Sequence, residues 1–560
     1  MNRYFLGGTC AAALAFALPA VGQVADTNNT SNDGQEAAAV QDTITVTGYR
    51  ASWTRALQNK RAADDIRDVI TSTEVGELPD QNVAEAIQRV PGVSITRDQG
   101  EGQFVTIRGL PPEFSRTTIN GMTATSSDNG RAVPLDLFAS DLFSTIEIVK
   151  SPSAEDTEGG LSGQINLITH DPGAVNKPLF SADVAGFYND LSGELGPKLS
   201  LIGANEFLDG KLSALAAVAY SDRSVRQDVL ASGGWNSVGD LIGGDLAEDV
   251  ASAQMWENGQ LRMFEEDRER LGLLGAVSFS PTNNQTYELN ALYSKYDLLQ
   301  TKYQFLNKFK AGSSIEDVRL EDDTVVAATF RDATIGSNNQ RRSEERDSLI
   351  LTGSGEWALD QWLVEAGLGW SETNVETPED LKYVWEGTAD MSYDLADPYA
   401  PVFGYPNTSV EEIYSSPELY TSLKQIVVEN RDVEDAEGRL YADIERTFDL
   451  GSISAIKGGF EYRSRQKQQS AAQFKDKSKP KTSNGVSPLS DYVGYHEGEG
   501  SRRASRKLCR RLWNVRSEAL SSRLSHKRPN HLLMLSEPVP RGLPVKCGNS
   551  LPPHFWRSLT

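Results

Sequence analysis

From about Leu179 the chain alternates segments of ten or more residues with connections of two very different lengths. The words "KLSLIGANE" and "KLSALAAVAYSD" flank the short turn "FLDG" (207–210), and "RLGLLGAVSFS" and "TYELNALYSKYD" flank "PTNNQ" (281–285). Likewise "SLILTGSGEWA" and "WLVEAGLGWSET" flank "LDQ" (359–361), and "RLYADIERTF" and "ISAIKGGFEYRS" flank "DLGS" (449–452). Long polar, acidic stretches at about 223–266, 298–345 and 376–437 separate these hairpins. In a barrel that crosses a membrane the strands run up and down, so short turns collect on one side and long loops on the other. A soluble β-sandwich also alternates, but it does not normally sort loop length by parity over nine strands. The pattern therefore predicts a transmembrane antiparallel β-barrel over 178–500, with Tyr220, Tyr293, Trp357, Trp362, Trp370 and Tyr462 as interface aromatics.

The ends narrow the setting. Arg3, an apolar run from Phe5 to Ala20, and the small residues Ala20 and Gly22 predict a secretory signal peptide over 1–22. Beyond it only Cys509 and Cys547 remain, so no disulfide framework is expected despite export. No later segment has the roughly 18 consecutive apolar residues of a spanning helix. The formal net charge of -23 argues against nucleic acid and against simple electrostatic attachment to an anionic bilayer.

Residues 23–41 have almost nothing to bury and predict a disordered tether. One alternating β-like word follows, "DTITVTG", made of Asp42, Thr43, Ile44, Thr45, Val46, Thr47 and Gly48, with no partner strand nearby. Further on, "PDQNVAEAIQRVPGVSI" predicts an amphipathic helix of about ten residues, N-capped by Asp80, with Val83, Ile87 and Val90 on one face and Pro91-Gly92 as its stop. The short words "VSITRD", "FVTIRGL", "TTINGM" and "STIEIVKS" read as strands between Gly, Pro and Asn turns. Together, 42–172 predict a compact α+β domain.

The segments "LPDQNVAEAIQRVPGVSITRDQGEGQFVTIRGL" (78–110), "TINGM" (118–122) and "SDLFSTIEIVKSPSAEDTEGGLSGQINLITHDP" (140–172), occurring in this order, resemble the TonB-dependent outer-membrane receptors, particularly the group in Caulobacter- and Xanthomonas-type bacteria. The resemblance implies an N-terminal α+β plug domain over 49–172 inside the barrel, and makes Asp42–Gly48 the TonB box. An extended β-branched word on a leash suits that role, because it can add as a strand to a partner's sheet edge. The partners so implied are TonB with its inner-membrane motor complex, outer-membrane lipid and a small or oligomeric nutrient ligand. The plug motif falls on Arg97, Asp98, Arg108, Gly109, Asn120, Gly121, Glu158, Gly159 and Gly160. Arg108 and Glu158 take the places of charges that hold the barrel's inner wall, and the glycines serve tight backbone turns.

Enzyme chemistry has little support. Before residue 496 the only histidine is His170, and no CxxC, HExxH, GxSxG or P-loop occurs. No catalytic residue, metal site or cofactor is expected. The expected function is energy-coupled uptake of a bulky, oligosaccharide-like nutrient across the outer membrane. The alternatives are a ferric-siderophore receptor and a non-functional fragment retaining only the plug. A signalling transducer would need a folded domain before the box, for which the tether has no room.

Two features depart from the family pattern. Plugged transporter barrels have 22 strands, whereas about nine are legible before Gln466, so the barrel is expected to be incomplete. The tail 501–560 carries 13 Lys+Arg against two acids, while residues 1–500 carry 42 against 76. That composition resembles an out-of-frame translation joined to a truncated receptor; a basic extension binding RNA or lipid is the other reading.

Overall fold

The computed structural model describes residues 65–71 and 82–476, apart from 129, 175–177, 311–312, 398–400, 411–412, 414–418, 421 and 451–452, with isolated positions between 56 and 63. The predicted signal peptide, tether and TonB box, Asp80, residues 477–500 and the basic tail 501–560 lie outside the described residues.

The N-terminal part is an α+β domain. Its strands are β1 (Ile66–Thr71), β2 (Val93–Asp98), β3 (Glu101–Ile107), β4 (Ser115–Ile119), β5 (Met122–Thr123), β6 (Phe143–Ser151) and β7 (Gly163–Thr169). Five of them form a sheet in the order β1-β6-β7-β4-β5, in which β4 and β7 run parallel, and β2 and β3 form a separate hairpin. β1 lies at the sheet's edge, paired antiparallel with β6. The turn between β4 and β5 is Asn120-Gly121, both at positive φ (48° and 74°), the geometry a tight hairpin demands. Gly163 opens β7 where a Cβ would lie 2.7 Å from the Val149 carbonyl, so only glycine fits against β6.

The helix is shorter than the sequence predicts. α1 spans Val83–Ile87, and its N-cap is Asn82, whose side chain accepts from Glu85 N at 3.0 Å. The predicted apolar face is real, since Val83 and Ile87 are fully buried, and Val90 joins the same core although the helix ends at Ile87.

The remaining strands build one wall. They are β8 (Leu179–Asn189), β9 (Glu194–Phe207), β10 (Leu212–Ser232), β11 (Trp235–Ser237), β12 (Gln254–Trp256), β13 (Asn258–Thr282), β14 (Gln285–Lys308), β15 (Ser314–Glu321), β16 (Thr324–Leu359), β17 (Trp362–Asp394), β18 (Val402–Gly404), β19 (Ser422–Leu450) and β20 (Ile453–Asp476). Nine of them follow one another in the antiparallel path β8-β9-β10-β13-β14-β16-β17-β19-β20, a partial barrel with β8 and β20 at its ends. The four short turns fall where the sequence places them. Among the described residues no helix is long and apolar enough to cross a membrane.

The long polar stretches are not loops. Most of 223–266, 298–345 and 376–437 is strand, so that β16 runs 36 residues and β17 runs 33. A membrane crossing needs only about 9 to 11, so the hairpins stand well clear of any bilayer. Period-2 patterning fades there because no lipid faces that part of the sheet, while the ladder hydrogen bonds continue regardless of side-chain polarity.

Alternation is sharp nearer the short turns. On β13 the outward positions are Leu271, Leu273, Gly275, Val277 and Phe279, and on β14 Tyr287, Leu289, Ala291 and Tyr293. Beside the short turns Phe279 stacks on Tyr287 and Trp357 meets Tyr287 edge-on, its Nε1 donating to the Tyr287 hydroxyl at 3.1 Å. Trp362 lies under the Arg446 guanidinium. An apolar outer band edged by aromatic rings is what a bilayer requires of a β-barrel.

Beyond that band the tall hairpins carry their own core. Phe309, Phe330, Ile335, Met391 and Tyr393 pack with Trp256, α2 (Val238–Leu241) and residues of β15 and β18. Ile335, Met391 and Tyr393 sit at register positions opposite in face to those directed at the plug.

Candidate functional site

The site is the seat of the α+β domain against the inner face of the wall. Glu101, at the start of β3, is 3% exposed and sits among arginines of β13. Arg268 Nη1 donates to it at 2.8 Å and Arg270 Nη2 at 2.7 Å, with Arg223 of β10 at 3.8 Å. Asn82 Nδ2 adds a bond to Glu101 at 3.0 Å and another to the Gly102 carbonyl at 2.8 Å, so the helix cap also orients the carboxylate. Burial by itself raises the Glu101 pKa, but Arg270, Arg268 and Asn82 outweigh it and hold the carboxyl well below its usual range. Arg268 Nη2 also reaches the Asp98 carbonyl at 3.0 Å and pairs with Glu266.

A second buried carboxylate, Asp136, accepts from Arg346 of β16 at 3.3 Å and from Gln103 at 3.2 Å. Its burial pushes its pKa up despite Arg346. The Tyr296 ring lies between the Arg270 and Arg346 guanidinium groups, 5.4 and 4.9 Å from their central carbons. Lys198 of β9 pairs with Asp141 at 2.9 Å. Around these charges the contact is apolar: Leu135, Leu137, Phe138 and Leu142 share one core with Leu215, Leu274 and Leu292 of the wall.

The opposite side of the seat is polar. Thr125 donates its amide to Ser371 Oγ at 3.2 Å, and its hydroxyl bonds Thr373 at 2.8 Å. Ser126 N donates to Asp435 at 3.0 Å. Lys467 of β20 donates to the carbonyls of Ser126, Asp128 and Gly130 at 3.3, 2.6 and 2.8 Å, so one ammonium pins the whole 126–130 loop. Arg116 lies 3.5 Å from Glu437 and donates to Thr123 Oγ1 at 2.8 Å. Below this, a cavity of about 300 Å³ separates Asn166 and His170 from Glu288, Glu365, Arg439 and Tyr441.

The motif residues divide between two tasks. Asp98 reaches the wall, whereas Arg97 bonds Gln88 at 3.0 Å within the domain. Asn120 clamps β7 through Thr169, donating to its hydroxyl at 2.8 Å and accepting from its amide at 3.0 Å. Gly109, Gly121 and Gly159 all have positive φ, and a Cβ on Gly160 would lie 2.7 Å from the Gly163 carbonyl. Arg108 and Glu158 do not hold the wall: both are exposed, and neither forms an ion pair among the described residues. Arg108 occupies a positive-φ turn position (55°) that turns its side chain away from the packed face, and Glu158 contributes only its carbonyl, to Arg116 at 2.7 Å. The wall contacts fall instead on Glu101, Asp136, Asp141 and Arg116. The sequence signal for Glu101 was slight, an acid opening a strand otherwise directed inward. Among the described residues no group of three His, Cys, Asp or Glu side chains is placed to hold a metal ion.

Residues 59–163 match the model of the TonB-dependent receptor plug domain. Among solved structures, a mutant ferric enterobactin receptor of Pseudomonas aeruginosa aligns with 74% of this chain and 72% of its own, at 12% identity and a TM-score of 0.33. The unliganded ferric citrate transporter FecA aligns over 74% and 75%, at 10% identity and a TM-score of 0.28. The copper transporter OprC aligns over 73% and 76%, at 11% identity and a TM-score of 0.25. The plug match carries the assignment. Residues 59–163 are thus a TonB-dependent receptor plug domain, seated against the β-wall that follows it.

Proposed function

We propose that the protein imports a scarce, bulky, oligosaccharide-like nutrient across the outer membrane, and that TonB drives it by gripping Asp42–Gly48. The observation that carries this reading is the seat itself: a plug held by buried ion pairs cannot move aside by thermal motion alone. Moving the plug parts Glu101 from the β13 arginines, and each charge left buried without its partner costs about 3–5 kcal/mol. The outer membrane holds no ion gradient, while the inner membrane supplies about 2.3 kcal/mol per charge per 100 mV, so work on this scale has to arrive through a partner. The edge strand β1 follows the box in sequence and, among the described residues, pairs with β6 alone, which suits a strand loaded first under tension.

The test is a Val46→Pro chain, in which the box cannot complete a strand ladder. Labelled trigalacturonate should still bind whole cells, but its energy-dependent accumulation should fall to the level of a strain lacking TonB. Undiminished accumulation would refute the reading.

A further inference from the structure

We propose that Arg262, Lys302 and Lys382, on the plug-facing side of the tall hairpins, form a binding site for anionic groups, and that the imported solute carries carboxylate, sulfate or phosphate. The inference rests on the import reading above and specifies its substrate class. Lys302 shares the face of Tyr296 on β14, six residues further from the short turns, about 20 Å along the strand. In register, Lys302 lies opposite Gln340 and Gln340 opposite Lys382, which sets the two lysines on one rung, two strands or about 10 Å apart. Arg262 lies opposite Gln304, one step along the same face.

Neither lysine has a hydrogen bond or ion pair among the described residues. The facing carboxylate, Asp380, accepts from Gln340 Nε2 at 2.7 Å. Burial, and then Lys382 and Arg262, lower the Lys302 pKa, with Asp380 opposing. Elsewhere on this face the wall neutralises its cations: Lys308 pairs with Glu386 at 2.7 Å, and Lys424 pairs with the same carboxylate at 3.0 Å. Here three cations, Arg262, Lys302 and Lys382, face one nearby carboxylate, Asp380, which Gln340 already engages. Beside it, Gln304 donates to Gln260 and Asn338 donates to Gln304, both at 2.8 Å, and Asn338 Oδ1 is buried without a partner. Cations that fix a charged group next to amides that take hydroxyls suit an acidic oligosaccharide, and the cations alone suit an anionic metal chelate.

The test is calorimetric titration of the purified full chain, its folded wall confirmed by heat-modifiable gel mobility, with trigalacturonate, ferric citrate and neutral maltotriose. At least one anion should bind, more weakly as salt rises. The double variant Lys302→Gln, Lys382→Gln should weaken that binding about tenfold or more, Lys302→Arg should preserve it, and maltotriose should respond to neither change. Trigalacturonate and ferric citrate distinguish an acidic sugar from an anionic chelate. The proposal is overturned if neither anion binds, or if the double variant binds them as the unaltered chain does. The import reading fails separately, on accumulation by the Val46→Pro chain.

Discussion

The plug meets its wall in two different ways. Against β9, β10, β13 and β14 the contact is dry, with Leu137, Phe138 and Leu142 packed on Leu215, Leu274 and Leu292, and Glu101 enclosed among arginines. Against β17, β19 and β20 it is made of hydroxyls, backbone carbonyls and ion pairs whose cations are partly exposed while the carboxylates of Asp435 and Glu437 are buried. A dry contact resists sliding, because each apolar group and each buried charge must find an equal partner elsewhere. A polar contact exchanges its partners for water at small cost. The two sides therefore assign different mechanical roles: the first anchors the plug, and the second can release.

The sharpest attack on this contrast is Glu101→Ala, which leaves Arg268 and Arg270 enclosed without their carboxylate. It should destabilise the seat by about 3–5 kcal/mol, read as accelerated amide hydrogen exchange along β3. Leu142→Ala follows at about 3 kcal/mol, because the side chain also fills the space over Gly272, where a Cβ would lie 2.6 Å from Leu142 Cδ1. Lys467→Met should cost about 1–3 kcal/mol and loosen exchange only at 126–130. Lys457→Ala, which removes an exposed pair with Glu155, should change stability by less than about 1 kcal/mol. If Lys467→Met loosened β3 as much as Glu101→Ala does, the two sides would not be mechanically distinct.

Acid separates the two buried carboxylates of the anchored side. Glu101 is held below its ordinary value near 4.5, so its contribution is present above that pH and is lost as pH falls toward the folded value. Asp136 is raised by burial, so acidification favours its folded form and works in the opposite direction. Melting the purified chain along a descending pH series should show a loss of stability below about pH 4.5 that Glu101→Gln flattens. An unchanged slope in that variant would remove Glu101 from the account.

Legibility in the sequence followed from how local each signal was. The short turns and the outward runs such as Leu271 to Phe279 are set by nearest neighbours and by the lipid they face, and they were readable one strand at a time. The tall hairpins were not, because above the bilayer neither face needs a regular apolar pattern; their polar composition read as loop although the ladders continue through it. The helix start was displaced from Asp80 to Asn82 because the Asn82 amide is also fixed by Glu101, a contact with no trace in local spacing. Arg108 and Glu158 hold places in a motif that suggest wall contacts, yet both side chains are exposed, Arg108 at a positive-φ turn position.

By itself the sequence determined the order of plug and wall, the nine-strand path, the four short turns it marks and the plug's turn glycines, since these depend on propensity, period and φ. Only the tertiary structure decided which charges meet, which face of the tall hairpins carries the second core, and that Lys302 and Lys382 share a rung. Those outcomes depend on register between strands far apart in the chain, and a one-residue slip would turn every such side chain to the other face.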